Sequence, residues 1–160
     1  MPVDRPKESR EDQTLLGRVL AIDLGSKRVG LALSDELRLS IRTLPTLPRT
    51  PWKRLLGSLA EVCEQFDVGS IVVGLPLLLD GGEGDAAREA TRVARNLELS
   101  LKLPIFLQDE RLTSRAAEVS LRERGVKRAD ISGQVDGEAA SIILKDFLAS
   151  RAADATIHEA

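Results

Sequence analysis

From Gly17 onward, short continuous apolar runs alternate with longer segments whose apolar residues recur at three- and four-residue spacing. Val19, Leu20, Ala21 and Ile22 form the first run, so Arg18 to Leu24 reads as a buried strand, with Asp23 near its end and Gly25 in the turn beyond. Val29 to Leu33 follows at hairpin distance, and Ser40 to Leu47 reads as a third extended stretch. Thr50 is expected to cap a helix that Pro51 opens, with Trp52, Leu55, Leu56, Leu59, Cys63 and Phe66 on one face. Ser70 to Gly74 is a further buried strand closed by Pro76, and Gly81, Gly82 and Gly84 predict a mobile loop over Leu77 to Gly84. Ala86, Ala90, Val93, Ala94, Leu97 and Leu101 mark a second helix, and Ile105 to Leu107 a fifth strand. Thr113 is placed to cap a helix ending at Gly125, and a last helix is expected from about Gly133 to Ala149. The order β-β-β-α-β-α-β-α-α predicts an α/β fold: a mixed five-stranded sheet with helices on both faces.

The body from 17 to 151 has the length of one domain, flanked by stretches expected to be disordered tails: 1–16, rich in charge and proline, and 152–160, rich in alanine. No apolar run approaches the ~20 residues of a membrane helix, which points to a cytoplasmic protein with no membrane partner. Cys63 is the only cysteine, which excludes a cysteine-rich zinc site, and His158, the only histidine, sits in the polar C-terminal stretch, so Ser-His-Asp, Cys-His and clustered-His chemistry lack a plausible partner. Catalysis would have to rest on carboxylates, amines or hydroxyls. A net charge of -2 argues against binding nucleic acid by bulk charge and leaves room for a local basic groove. An aromatic content of 2%, with no tyrosine, argues against a stacking platform for single strands.

Three acids fall at element ends or helix starts. Asp23 closes the first strand, Glu110 closes the last, and Asp136 is expected in the first turn of the final helix, where the dipole would also favour it. Acids ending neighbouring parallel strands converge at the carboxyl edge of an open sheet, and a packed helix can add a third. Carboxylates so gathered repel one another unless cations sit among them, and all-oxygen ligation selects Mg2+ or Mn2+. Two such ions about 4 Å apart suit phosphodiester hydrolysis without any histidine.

Four motifs then carry a resemblance: Asp23-Leu-Gly-Ser-Lys-Arg-Val-Gly, Gly74-Leu-Pro-Leu-Leu-Leu-Asp-Gly, Asp109-Glu-Arg-Leu-Thr-Ser and Val135-Asp-Gly-Glu-Ala-Ala-Ser-Ile-Ile-Leu. In order and spacing, from about Arg18 to Leu148, they resemble the YqgF family, also called RuvX. The resemblance implies an RNase H-like fold related to Holliday junction resolvases and a nuclease role in maturing the 5′ end of pre-16S ribosomal RNA. It also implies Asp23, Glu110 and Asp136 as the acidic, metal-holding site. Two features depart from the family's pattern: the apolar stretch Leu77 to Leu79, and Gly137, a weak helix former beside Asp136.

Each candidate also has a plain structural reading. Asp23 could orient the following turn, Glu110 could be a solvated acid paired with Arg111, and adjacent Asp109 faces the other side of the strand. Lys27 and Arg28 on the first turn, with Arg111 and Arg115 beyond the last strand, are candidates for a phosphate track. The denser run Arg122, Arg124, Lys127 and Arg128 interleaves with Glu123 and Asp130 and reads better as a solvated helix end. The Gly81 to Gly84 stretch fits a substrate lid or a simple connector equally well.

The expected partner is nucleic acid, with pre-rRNA favoured, branched DNA as the alternative substrate, and a monomer or a homodimer as the form. A non-catalytic ribosome-assembly factor that binds RNA and assembly proteins is a further alternative. An Asp-x-Gly turn before a hairpin also occurs in sugar-kinase and Hsp70-like ATPases, but those need two such halves and this chain has one.

Overall fold

The computed structural model describes residues 15, 17–110 and 128–158, with the side chains of 128–136 and 153–158 left aside. Its elements are β1 (Arg18–Leu24), β2 (Arg28–Ser34), β3 (Ile41–Pro48), α1 (Trp52–Gln65), β4 (Val68–Leu75), α2 (Asp85–Leu101), β5 (Ile105–Asp109) and α3 (Arg128–His158). The five strands form one sheet in the order β3-β2-β1-β4-β5. β1, β2 and β3 are an antiparallel meander, whereas β4 lies parallel to β1 and β5 parallel to β4. This is the RNase H-like arrangement that the motifs imply.

Strand alternation sorts the core into two layers. Leu20 and Ile22 of β1, Val29, Leu31 and Leu33 of β2, and Ile71 and Val73 of β4 face α1 and α2, meeting Leu55, Leu59, Ala90, Val93, Ala94 and Leu97. Val19 and Ala21 of β1, Ala32 of β2, Val72 of β4 and Phe106 of β5 face the other way, onto Ala140, Ile143, Leu144 and Phe147 of α3. β1 and β4 are covered on both faces, which is why their sequences read as continuous apolar runs instead of alternating ones. The outer strand β3 alternates half-buried and exposed positions and carries Pro45 at the irregularity in its pairing with β2. Proline lacks the N–H that a neighbouring strand would need, and it suits an edge.

Several boundaries differ from the sequence reading. α1 begins at Trp52 with Pro51 as its N-cap and no side-chain cap, so Thr50 does not cap it; the Pro51 carbonyl accepts from the N–H groups of Arg54 and Leu55 at 3.1 Å each. α3 begins at Arg128, eight residues before Asp136, which places Asp136 about two turns inside the helix. The dipole argument for that residue therefore lapses, since the effect fades beyond the first turn. Gly133 suggested a boundary, yet a helix held by tertiary packing tolerates an interior glycine at about 1 kcal/mol. At its other end α3 runs to His158, past Ala152, where composition suggested a tail; alanine is also the strongest helix former. The N-terminal stretch 1–14 and the helix expected from Thr113 to Gly125 lie outside the described residues.

The loop after β4 closes on itself. The Leu78 N–H donates to the Gly82 carbonyl at 2.8 Å, the Gly81 N–H to the Leu78 carbonyl at 2.8 Å, and the Gly82 N–H to Asp80 Oδ1 at 2.8 Å. Gly81 sits at φ 88°, a conformation that costs glycine least. Leu79 at its tip is 75% exposed.

Cys63 is half-buried on the core side of α1, and burial pushes its thiol up to about 11. Its thiolate population at pH 7 is accordingly very small, and a disulfide-exchange reagent is expected to label it far more slowly in the native protein than in urea. Gly57, exposed in the middle of α1, has nothing within 4 Å of where a Cβ would stand. Gly57→Ala should stabilise the protein by roughly 0.5–1 kcal/mol, seen as a higher urea midpoint at unchanged slope.

Candidate active site

Asp23 lies on β1 opposite Gly30 of β2 and shares its strand face with Val19 and Ala21, so it points to the side covered by α3. It is 6% exposed, an unusual setting for a carboxylate. Glu110 directly follows β5, its N–H donating to the Leu75 carbonyl at 3.1 Å, which extends the β4–β5 pairing by one residue. By alternation it shares the α3 side with Phe106, whereas Asp109 falls on the side of Ile105 and Leu107. The structure therefore brings Asp23 and Glu110 to one spot and sets Asp109 across the sheet.

β1 and β5 are not neighbours; β4 runs between them. With strands 4.7–4.9 Å apart, side chains on β1 and β5 meet only if the β4 position between them is nearly empty. That position is Gly74. A Cβ there would stand 2.5 Å from Glu110 Oε2 and 2.7 Å from Ile143 Cδ1. Glu110 occupies the volume a side chain at 74 would need, with α3 pressed down over it.

The contact has a clear electrostatic signature. Burial, then the negative charge of Asp23, a hydrogen bond shared with Asp23 and the charge of Asp109 together push the Glu110 carboxyl up to about 8. The upward direction is the one expected when a carboxyl is buried beside like charge. Glu110 Oε2 is nevertheless buried without a hydrogen-bond partner among the described residues.

A buried carboxylate oxygen, a second carboxyl beside it that raises its proton affinity, and a donor set of oxygen only all fit a hard divalent cation such as Mg2+ or Mn2+. Mg2+ is commonly held by one or two carboxylates, with water and substrate phosphate completing its shell. Among the described residues no group of three or more potential ligands is gathered. The third expected ligand, Asp136, has its backbone in α3, and its side chain lies outside the described residues.

Of the expected phosphate contacts, exposed Lys27 lies on the turn joining β1 to β2 and exposed Arg28 opens β2, both at the same end of the sheet as Asp23. That turn is closed by a 2.9 Å bond from the Gly25 N–H to the Arg28 carbonyl. Arg111 and Arg115 lie outside the described residues. Sequence reasoning missed Arg49, Lys53 and Arg54. The Arg49 N–H donates to the Lys27 carbonyl at 2.9 Å, which brings the start of α1 against the first turn and makes one basic corner. Their clustering around Pro51 was the available signal. Gly74 was also missed: it stood within a quoted motif, but nothing in one sequence says which residue a glycine makes room for.

A family model described as "RuvX: Holliday junction resolvase" matches residues 17–150. A protein of Anaeromyxobacter dehalogenans (strain 2CP-C) is 47% identical over 135 residues, covering 84% of this chain and 98% of that protein. One from Syntrophus aciditrophicus (strain SB) is 43% identical over 131 residues, covering 82% and 87%. Both carry the name "Putative pre-16S rRNA nuclease". Among solved structures, T. thermophilus RuvC in complex with Holliday junction substrate aligns with 84% of this chain and 95% of its own, at 18% identity and a TM-score of 0.48.

Gly74→Ala should force Glu110 off Asp23 or Ile143 out of its packing. Thermal unfolding is expected to show a loss of about 1–3 kcal/mol, with weaker Mn2+ binding by calorimetry. A second prediction concerns pH. The folded-state value of Glu110 is raised from 4.5 to about 8, so the metal-free fold binds this proton more tightly than the unfolded chain. The associated stability is full below pH ~4.5 and is lost as pH rises toward and through ~8. In chelator, urea midpoints between pH 5 and 9 should fall more steeply for wild type than for Glu110→Gln. Mn2+ should stabilise wild type more at pH 8 than at pH 5, because the cation favours the ionised carboxyl.

Proposed function

The chain belongs to the RuvX family, and from that premise we propose that it is a metal-dependent nuclease that hydrolyses phosphodiester bonds and matures the 5′ end of pre-16S ribosomal RNA. The observation carrying this reading is the Asp23–Glu110 contact across Gly74, with Glu110 Oε2 buried and without a hydrogen-bond partner among the described residues. Such a pair costs stability in a protein that needs only a fold, and is explained if a cation normally lies between its members. The name shared by the bacterial relatives supports precursor rRNA as the substrate.

Asp23, rigid in a central strand, offers an oxygen from a fixed position, and Glu110 adds the second from the end of the neighbouring parallel pair. Asp136, two helical turns before Ile143, completes the carboxylate set. A Mg2+ or Mn2+ ion held there would supply Lewis-acid charge on the phosphate and an activated water. Lys27 and Arg28, with Arg111 and Arg115, hold the phosphodiester backbone beside the acids. The protein works in the cytoplasm on nucleic acid and with ribosome-assembly partners; no helix among the described residues is long and apolar enough to cross a membrane.

The family's own description favours a second reading, resolution of branched DNA. It uses the same chemistry and requires a homodimer presenting two sites, whereas RNA trimming needs only a monomer.

The test is cleavage of end-labelled precursor rRNA and of a four-way DNA junction in Mg2+ or Mn2+, comparing wild type with Asp23→Asn. Wild type should cut the precursor faster than the junction, chelator should abolish cutting, and the variant should lose at least about 100-fold. Faster cutting of the junction selects the second reading, and equal rates for the two proteins remove Asp23 from the chemistry.

A further inference from the structure

On the opposite side of the sheet's end from the acids lies a cleft of about 480 Å³, within the roughly 300–1,000 Å³ usual for small-ligand sites. Leu24, Pro76 and Ala90 give it an apolar floor, and Arg49, Thr50 and Glu89 are its larger polar lining residues. Its location is fixed by the elements that fix the acids. Leu24 follows Asp23 and faces the other way, and Pro76 follows Leu75, whose carbonyl holds the Glu110 N–H. A chain crossing the strand ends thus passes the carboxylates and the cleft in turn.

Arg49 is prearranged. Its side chain is only 14% exposed and its Nη2 pairs with Glu89 at 2.8 Å. Glu89, itself part of the lining, also pairs with Arg92 outside the cleft, so its charge is shared between two cations. Exposed Lys27 and Lys53 extend positive charge along the corner outside. An apolar floor beneath a fixed guanidinium and a hydroxyl matches a flat heterocycle joined to an anionic sugar-phosphate. Enclosure of this kind can also replace the ring stacking that the chain, with 2% aromatic residues, is poorly equipped to supply.

We propose that this cleft is a subsite for one nucleotide flanking the scissile phosphate, its base on the floor of Leu24, Pro76 and Ala90 and its sugar-phosphate turned to Arg49 and Thr50. The proposal rests on the nuclease reading and extends it to how the strand is held.

Ala86 lines the cleft from the exposed first turn of α2, so Ala86→Phe fills the space without entering the core. The experiment titrates full-length protein in chelator with adenosine, guanosine, cytidine and uridine 5′-monophosphates and their deoxy forms, followed by amide NMR. Saturable shifts should centre on Ser26, Thr50 and Ala86, and Ala86→Phe should weaken binding by about tenfold or more at unchanged melting temperature. Preference for the ribo or the deoxy series identifies RNA or DNA as the source of the nucleotide. No saturable shift, shifts centred elsewhere, or equal binding by the variant overturns the subsite. Because neither metal nor cleavage enters the measurement, nucleotide binding by a protein that cuts nothing defeats the nuclease reading alone. Normal cutting together with indifference to Ala86→Phe defeats the subsite alone.

Discussion

The close approach of Glu110 to Asp23 over Gly74 is the constraint around which the rest of the structure is arranged. Two acidic side chains from strands separated by a third can touch only where the intervening strand presents no side chain, and Ile143 of α3 closes that space from above. The arrangement opposes stability in two ways: it buries carboxyls and sets like charges together. It persists because β1 and β4 are packed on both faces and leave the backbone little freedom to relieve it.

The same alternation divides the sheet's end into two working sides. Odd positions of β1 carry Asp23 toward α3, while even positions carry Leu24 toward α2. The first turn and the start of α1 meet through the Arg49–Lys27 backbone bond, so positive charge gathers at the corner between the sides. A net charge of -2 for the whole chain conceals this local concentration. Phosphate attraction depends on nearby charge, because charges farther off than about 8–10 Å are screened at physiological salt.

Much of this was legible in the chain. Continuous apolar runs located β1 and β4 since strands covered on both faces leave no polar alternation, and the helical stripes located α1 and α2 for the complementary reason. Four spaced motifs identified the family. Boundaries were less legible: Thr50 looks like a cap and Gly133 like a helix start by local preference. The first helix takes Pro51 as its N-cap instead, and the packing of α3 on the sheet outweighs the small propensity of a single glycine.

By itself the sequence determined the family, through four motifs in order and spacing, and the order of the described strands and helices, since periodicity is a local property. Only the tertiary structure decided which acid meets which, that Gly74 is the gap between them, that Arg49 joins Lys27 at the basic corner, and that a cleft opens behind the acids. Those facts depend on residues far apart in the chain becoming neighbours across the sheet, and strand order and register, which no local pattern encodes, set that proximity.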